Sequence, residues 1–555
     1  MTLQATRAAR EVETRRWIRC VHCGVTQYLP KLVRAQQVCP DCGGYGRLDG
    51  PERLARLLDP DSYSPLPRRI RSADPLGFTD VRPYAERLAK ARGRTGLDDV
   101  VLAGTGTVRD VPVVIAVLDF RFLGGSMGSA AGEAVTVAAE TALATDRPLV
   151  LVVASGGARM QEGCLSLMQM AKTGQALADL RRAGVGSVCV LTDPTFGGVT
   201  ASFATLGDVL IAERGSLIGF AGPRVIEAAT RSALPAGFQT AEYLHQRGML
   251  DLVETREGLR PLLGRVLTLM TEGKPPHAEE TGPPDPVRER PAAETLKLAR
   301  EITRPTTVDY IGLLCDDFVE LHGDRCGGDD PAIVAGLASL RGVRVMVIGH
   351  QRGHTTAELL ERNFGMANPG GYRKALRLMK LAERLRLPVV TFVDTQGAAP
   401  GIEAEQGGQA WAIAEAIAGM SELTVPVVAT VTGEGGSGGA LAVAVANTVL
   451  MLENACYSVI SPESCSTILY GSPSHAATMA DRLRITAPEL LRLGVIDAIV
   501  PEPEGGAQAS PREAAEAVGT AILGALAEFT TFGPEELRAH RHARFRRMGE
   551  VADAG

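Results

Sequence analysis

LVLVVASGGARM (149–160) is an apolar run that ends in small residues and glycine, and PVVTFVDTQGAAPG (388–401) repeats the plan. Aligning Gly157 with Gly397 sets an offset of 240 residues. At that offset Gly198, in VCVLTDPTFGGVTA (188–201), falls on Gly438, in VVATVTGEGGSGGAL (427–441). Glu213 falls on Glu453 in the same register, and the 41 residues between the paired glycines carry no gap in either copy. Three landmarks in one register mark a tandem pair of homologous domains. Each copy reads strand, glycine turn, helix, strand, glycine turn, helix, strand. The helix after the first turn is clear in both, as MQEGCLSLMQMAKTGQALADLRRAG (160–184) and EAEQGGQAWAIAEAIAGMSEL (403–423). The strands are continuous apolar runs, the pattern of parallel strands covered on both faces, so the class is α/β with crossover connections.

Length and composition bound what surrounds this pair. At roughly 100–200 residues per domain, 555 residues predict three or four domains. A hydrophobic fraction of 45 % lets each bury a core and excludes a disordered chain. With 58 Lys+Arg against 64 Asp+Glu the net charge is −6, which argues against general nucleic-acid coating. No apolar run reaches the ~18–20 residues of a membrane span. The opening MTLQATRAAREVETRRW (1–17) is polar and acidic enough to be neither a signal peptide nor a typical transit peptide. The expectation is a soluble, cytoplasmic protein.

Four of the ten cysteines, Cys20, Cys23, Cys39 and Cys42, form C-x2-C-x15-C-x2-C. A glycine follows each pair and permits the turn that points backbone N–H groups at sulfur. Four thiolates at this spacing predict one closed, structural Zn2+ site in a ribbon over 1–48. His22 is expected outside the ligand set. The other six cysteines are scattered, several within apolar runs, and read as small hydrophobes. The first repeat is expected over 49–272, a Pro- and charge-rich linker over 273–293, the second repeat over 294–506, and a helical tail over 507–555. Within that tail, GPEELRAHRHARFRRMGE (533–550) reads as a basic amphipathic helix with a solvated or partner-docking face.

A glycine turn between a buried strand and a helix exposes backbone N–H groups with no side chain in the way. Each repeat offers two such turns, at Gly156-Gly157 with Gly197-Gly198, and at Gly397-Ala398 with Gly438-Gly439. Two N–H donors from two turns suit an oxyanion; phosphate cradling and simple tight packing are the alternatives. Neither a P-loop nor a Rossmann fingerprint is present in a fitting context. Ser155 and Ser437 adjoin glycines but are not read as nucleophile elbows, and none of the nine histidines lies between the paired landmarks. Catalysis by main-chain donors, with the base brought by a substrate or cofactor, fits this inventory.

Longer motifs then bear a family resemblance across nearly the whole chain. The front half resembles the beta subunit of the bacterial acetyl-CoA carboxylase carboxyltransferase. The likeness runs through WIRC (17–20) with its cysteine pairs, FLGGSMGSAAGE (122–133), ASGGARMQEG (154–163), LTDPTFGGVTASFA (191–204) and GFAGPRVIE (219–227). The rear half resembles the alpha subunit through RPTTVDYI (304–311), DDFVELHGDR (316–325), RNFGMANPGGYRKALRLM (362–379), GEGGSGGALA (433–442) and YSVISPESC (457–465). The tail PEELRAHRHARFRRMG (534–549) is similar to that subunit's end.

The resemblance implies two crotonase-like ββα-superhelix domains. It implies transfer of a carboxyl group from N1-carboxybiotin, on a biotin carboxyl carrier protein served by a biotin carboxylase, to acetyl-CoA, forming malonyl-CoA for fatty acid biosynthesis. Gly157 and Gly198 would stabilise the thioester enolate, with Gly156, Gly197, Arg159 and Arg224 near the CoA. Gly397, Ala398, Gly438 and Gly439, with Gly436, would hold the biotin ureido oxygen. The family pairs a beta-like with an alpha-like domain of opposite subunits, which implies at least a homodimer. The sequence departs from the alpha pattern in DTQGAAPG (394–401), with Gln396 and Ala399 in place of Pro and Tyr, and in EQGGQ (405–409), which lacks an Arg. Propionyl-CoA as acceptor, a related decarboxylase, and a hydratase using Glu162 and Glu405 are the competing enzymes. Nucleic-acid binding by the ribbon, with Arg15, Arg16, Arg19, Lys31, Arg34 and Arg47, stands as a secondary role.

Overall fold

In the computed structural model, residues 17–278 and 287–550 are described. The central part of the expected linker and the basic Arg15 and Arg16 lie outside them. Contacts divide the chain into two units. The first runs through His245 and adds Leu252–Gly264; the second takes Gln246–Asp251 and everything from Arg265 onward. The division falls inside the helix Leu259–Thr271, short of the expected boundary at 272.

The first unit opens with the ribbon, a two-stranded antiparallel pair β1 (Trp17–Arg19) and β2 (Thr26–Tyr28). Its main sheet has seven strands in sequence order: β3 (Ser64–Pro65), β4 (Val101–Val108), β5 (Val111–Leu118), β6 (Leu149–Ser155), β7 (Ser187–Thr195), β8 (Val209–Glu213) and β9 (Leu252–Glu254). The β3–β4–β5 pairs are antiparallel and the rest parallel. The second unit repeats this with β10 (Cys315–Glu320), β11 (Ile333–Leu340), β12 (Val343–His350), β13 (Val389–Thr395), β14 (Val427–Gly436), β15 (Thr448–Leu452), β16 (Cys456–Ser458) and β17 (Ala498–Val500). An antiparallel β10–β11–β12 entrance again leads into parallel strands, with β16 added beside β14. β6 shifted by 240 residues coincides with β13, which fixes the duplication at the level of backbone pairing.

The parallel strands are buried on both faces and consist mostly of apolar or small residues, with a few buried carboxylates towards their ends. Val389–Thr395 is buried throughout, and Leu149–Ser155 at every position but Ala154. The long helices Ser129–Thr145 and Cys164–Ala183 pack against each other in the first unit, as Pro369–Arg384 and Gln409–Ser421 do in the second. The helix after the second glycine turn is a single turn in both copies, Gly197–Thr200 and Ser437–Leu441, shorter than the sequence pattern predicts.

The landmark glutamates are buried at equivalent places, Glu213 as the last residue of β8 and Glu453 just past the end of β15. Glu213 accepts from Arg53 at 2.6 and 2.9 Å and from Arg256 at 2.8 Å through both oxygens. Against the upward push of burial, Arg256 and Arg53 bring its pKa down to about 2. Arg256 also donates to the carbonyls of Gln36 and Gly46 and lies over the Tyr45 ring, so the same carboxylate anchors the ribbon. Glu453 accepts from Arg290 at 3.1 Å and from Arg288 N at 3.0 Å.

The basic helix Pro534–Arg547 packs on the second unit through Leu537, Arg541 and Arg544 and leaves most of its other positions exposed, the solvated face expected of it. Arg541 is fully buried and donates to the carbonyls of Ser421, Leu423 and Val425. Arg544 pairs with Asp497 at 2.8 Å. No helix among the described residues is long and apolar enough to cross a membrane.

Candidate active site

The two glycine turns of each unit meet. A Cβ placed on Gly157 would stand 3.3 Å from Gly197 Cα and 3.6 Å from Gly198 N. In the second unit, a Cβ on Gly439 would stand 2.6 Å from Ala398 N, and one on Gly436 would collide with Gln396 O. Only glycine permits that approach. Gly157 (φ 115°) and Gly397 (φ 154°) also need backbone angles that side chains resist.

Three of the N–H groups left without an acceptor there, at Gly198, Ala398 and Gly438, belong to expected residues, and in the first unit Ala158 stands in for the expected Gly157. Gly157 N donates to Ser155 Oγ at 3.0 Å, and Gly397 N donates to Thr395 Oγ1 at 3.1 Å, the same bond in both units. Gly156 N donates to Gly124 O and Gly197 N to Phe220 O. These four N–H groups are therefore committed to holding the turns. Ala158 N, Gly198 N, Ala398 N and Gly438 N have no acceptor among the described residues. Ala158 and Ala398 are half-buried between a buried glycine and a buried residue, so the exposure pattern of 155–160 repeats at 395–400.

A third segment, whose role the sequence reading missed, clamps the first turn. Leu123, Gly124 and Gly125 all have left-handed backbone (φ 49°, 66°, 67°), as do Asn363, Phe364 and Gly365 (45°, 55°, 77°). Beyond them, Met127 O accepts from Arg159 N at 2.8 Å, and Ala367 O accepts from Ala399 N at 3.1 Å. The signal was available, because Gly125 and Gly365 obey the same 240-residue offset.

The side chains around the two holes are not alike. In the first unit Arg159 is fully buried and donates to Asp99 at 2.8 and 3.1 Å, to Ser126 O at 2.7 Å and to Tyr84 Oη at 3.1 Å. Glu162, also buried, accepts from Tyr84 at 2.7 Å and from Ser129 N at 2.6 Å. In the second unit Ala399 replaces the arginine, and Gln409 donates to the carbonyls of Ala367 and Ala399 at 2.8 and 3.1 Å. There a cavity of about 360 Å3 opens beside the second turn, lined by Ser437, Gly438, Leu441, Tyr457, Val459 and Leu490. A larger cavity of about 870 Å3 lies between Asn447, Asp497 and the helix Pro511–Glu528. None of the turn residues lines it, so we assign the site to the smaller one.

A family model described as acetyl co-enzyme A carboxylase carboxyltransferase-like matches residues 288–549. The acetyl-coenzyme A carboxylase carboxyl transferase subunits beta/alpha of Saccharopolyspora erythraea is 54 % identical, over 96 % of this chain and 95 % of its own length. The chain belongs to the acetyl-CoA carboxylase carboxyl transferase beta/alpha family. The carboxyl transferase subunit alpha of Thermus thermophilus is 56 % identical over 47 % of this chain and 82 % of its own. Among solved structures, the transcarboxylase 12S core shares the fold at a TM-score of 0.68 and 22 % identity, covering 91 % of this chain and 95 % of that one. The two units of this carboxyl transferase are thus a beta-like and an alpha-like crotonase domain.

Family membership sharpens the account of individual residues. Arg159 does not face a CoA site: its guanidinium is spent inside the beta-like unit, where Asp99 holds its pKa above the ordinary value against burial. Arg224 is exposed on the helix Pro223–Thr230 and forms no ion pair among the described residues. Glu162 has both oxygens engaged, and Glu405 is exposed on a short helix, so neither has the setting of an acid/base pair. Gly436 serves the close approach of its turn to Gln396. Ser437, contrary to the reading above, is the centre of a G-x-S-x-G elbow, Gly435 to Gly439, and has φ 58°.

In the ribbon, the four cysteine sulfurs lie within 4.8 Å of one another, a donor set for one metal ion. Backbone N–H groups of Cys23 and His22 bring the Cys20 thiol down to about 6. His22 turns away, its Nε2 3.0 Å from Tyr45 O.

Proposed function

We propose that this chain is the carboxyltransferase of an acetyl-CoA carboxylase, moving the carboxyl group from carboxybiotin on a carrier protein to acetyl-CoA to form malonyl-CoA. The observation that carries the reading is the pair of matched holes, each with two uncommitted N–H groups from two converging turns. In the beta-like unit, Ala158 N and Gly198 N hold the thioester oxygen as the α-carbon loses its proton and negative charge builds. In the alpha-like unit, Ala398 N and Gly438 N hold the ureido oxygen, and the apolar wall of Leu441, Val459 and Leu490 takes the ring system. Biotin supplies both the carboxyl group and, once that group has left, the base that takes the acetyl proton. This accounts for the lack of a side-chain base at either hole. Preorganised donors of this kind contribute ~3–4 kcal/mol each. Exposed Arg224 is suited to the CoA phosphates.

Exposed apolar side chains surround the turns: Met160, Met168 and Phe220 in one unit, Ile402, Trp411 and Val459 in the other. They favour a homodimer or higher oligomer that covers the holes, and a docking carrier protein with its biotin carboxylase. In the ribbon, the Cys20–Cys42 and Cys23–Cys39 sulfur distances of 3.8 Å equal the edge of a tetrahedron with Zn–S of about 2.3 Å. Zinc is therefore the inferred ion, and its chelation should unfold the ribbon.

The test is 14C transfer from carboxylated biotin. Label in malonyl-CoA is the expected result; CO2 release without label transfer would mean a decarboxylase, and preference for propionyl-CoA would change the acceptor. A second reading rests on the ribbon's exposed Trp17–Tyr28 ring pair (centroids 5.3 Å apart) beside Lys31 and Arg34. Such a surface suits stacking and phosphate contact by nucleic acid. A salt-sensitive gel shift lost in Cys20→Ser supports it; binding retained in that variant rejects it. Arg47 lies over Phe120 and pairs with Asp193 at 3.5 Å, and Arg19 donates to Gly24 O, so each has a partner of its own within the chain.

A further inference from the structure

The second glycine turn is the same backbone in both units, yet one position differs in a telling way. Where β7 gives way to its short helix, the residue with left-handed backbone is Gly197 (φ 64°); where β14 does so, it is Ser437 (φ 58°). Glycine meets that geometry without strain, whereas a side chain with a Cβ is held there against its preference. A strained non-glycine residue beside a binding cavity points to a task for the side chain.

The surroundings indicate what the task is. Ser437 is exposed, lines the cavity of about 360 Å3, and its hydroxyl makes no hydrogen bond to any described residue. The other serine of the cavity wall, Ser458, spends its hydroxyl on Ile460 O at 2.9 Å. Ser437 Cβ stands 3.8 Å from where a Cβ on Gly397 would lie, which places it next to the first turn as well as the second. It is followed in the chain by Gly438, whose N–H is uncommitted. No histidine or carboxylate lines the cavity, so the hydroxyl has no base to make it a nucleophile.

We propose that Ser437 is a third donor of the alpha-like hole, its Oγ–H hydrogen-bonding the ureido group of biotin together with Ala398 N and Gly438 N. This rests on the carboxyltransferase reading and adds to it a side chain that recognises one of the two substrates. The beta-like unit, with Gly197 in the same place, has no such donor and relies on main chain alone.

The test uses the full-length protein and biocytin, the free lysyl conjugate of biotin, with binding measured by calorimetry alongside transfer from malonyl-CoA. In that direction the carboxyl group leaves the malonyl carbon for the biocytin nitrogen, and the proton of that nitrogen goes to carbon. Ser437→Ala removes the hydroxyl and keeps the strain; Ser437→Gly removes both. In each, biocytin affinity should fall about three- to tenfold, with acetyl-CoA affinity unchanged. Ser437→Gly should melt no lower than the parent, so a folding defect cannot produce the loss. Biocytin affinity within twofold of the parent in both variants overturns the proposal while leaving the transferase intact. A parent protein that transfers no carboxyl group at all overturns the functional reading and this proposal with it.

Discussion

The beta-like and alpha-like holes share a main chain and almost nothing else. Ser155 and Thr395 perform one duty, fastening the glycine N–H behind the donors, and Met127 and Ala367 perform another. Around that common frame, the beta-like unit uses a buried ion cluster of Arg159, Asp99, Glu162 and Tyr84. The alpha-like unit uses Ala399, an amide from Gln409 and an apolar cavity. The difference teaches that the geometry of the donors was the inherited part. Each copy then found its own way to stiffen that geometry and shape the space in front of it.

The strongest test of this contrast is Arg159→Met, which strands Asp99 and Glu162 in the interior. A loss of about 3–5 kcal/mol in urea unfolding is expected, because breaking a buried pair leaves an uncompensated charge. Ala399→Gly, at the matching position, should cost no more than about 1 kcal/mol. Comparable losses at both sites would erase the distinction.

Next in size are Gly198→Val and Gly438→Val, each blocking one hole. Each should lower kcat about 100- to 1,000-fold in a folded protein. Gly438→Val should spare acetyl-CoA binding, and Gly198→Val should spare biocytin binding. A folded variant with unchanged kcat would remove that turn from catalysis. Ser155→Ala and Thr395→Val free the fastening N–H and should each cost about 1 kcal/mol, read as a several-fold fall in kcat. Equal effects would support one duty for the two hydroxyls.

The smallest effects are in pH. On the approach to the clamp, the beta-like unit holds Asp119 through Arg121 at 3.0 Å and Gly50 N at 2.9 Å. Against burial, these partners keep its pKa below 3.8. Its contribution is complete above that value and disappears as pH falls through the folded pKa. The alpha-like unit instead uses His354, with Nε2 2.8 Å from Asp309 and Nδ1 3.0 Å from Ile302 O. Against burial, these partners raise its pKa above 6.5. Its contribution is complete below 6.5 and disappears as pH rises through the folded value. Asp119→Asn should flatten the acid limb of a stability profile, and His354→Gln the neutral-to-alkaline limb. The exposed His354 pair should account for less than about 1 kcal/mol. A His354→Gln profile that parallels the parent above pH 6.5 would deny it any role.

The duplication, the two sheets and the ribbon were legible in the sequence because they rest on apolar runs, glycines and cysteines at fixed spacing. Of the donors, Gly198, Ala398 and Gly438 were legible as residues of the glycine turns, and one was not: Gly157 stands out as a letter, whereas its N–H is claimed by Ser155, which leaves that of unremarked Ala158. Arg159 looked available to an anion, since its partner Asp99 lies 60 residues away and no local pattern announces the pair. The basic tail was legible as a helix with a solvated face, but its anchor was not. Arg541 bonds to carbonyls more than 100 residues upstream, a relation that helical periodicity does not carry.

Because all the proposed donors but Ser437 are peptide groups, these have no rotamer to lose, no proton to titrate and no codon of their own. Replacing Ala158 or Ala398 by almost any residue but proline would change what projects into the cleft and leave the N–H in place. A lineage with such a scaffold is free to explore new acyl chains by ordinary point mutation while its chemistry stays switched on throughout.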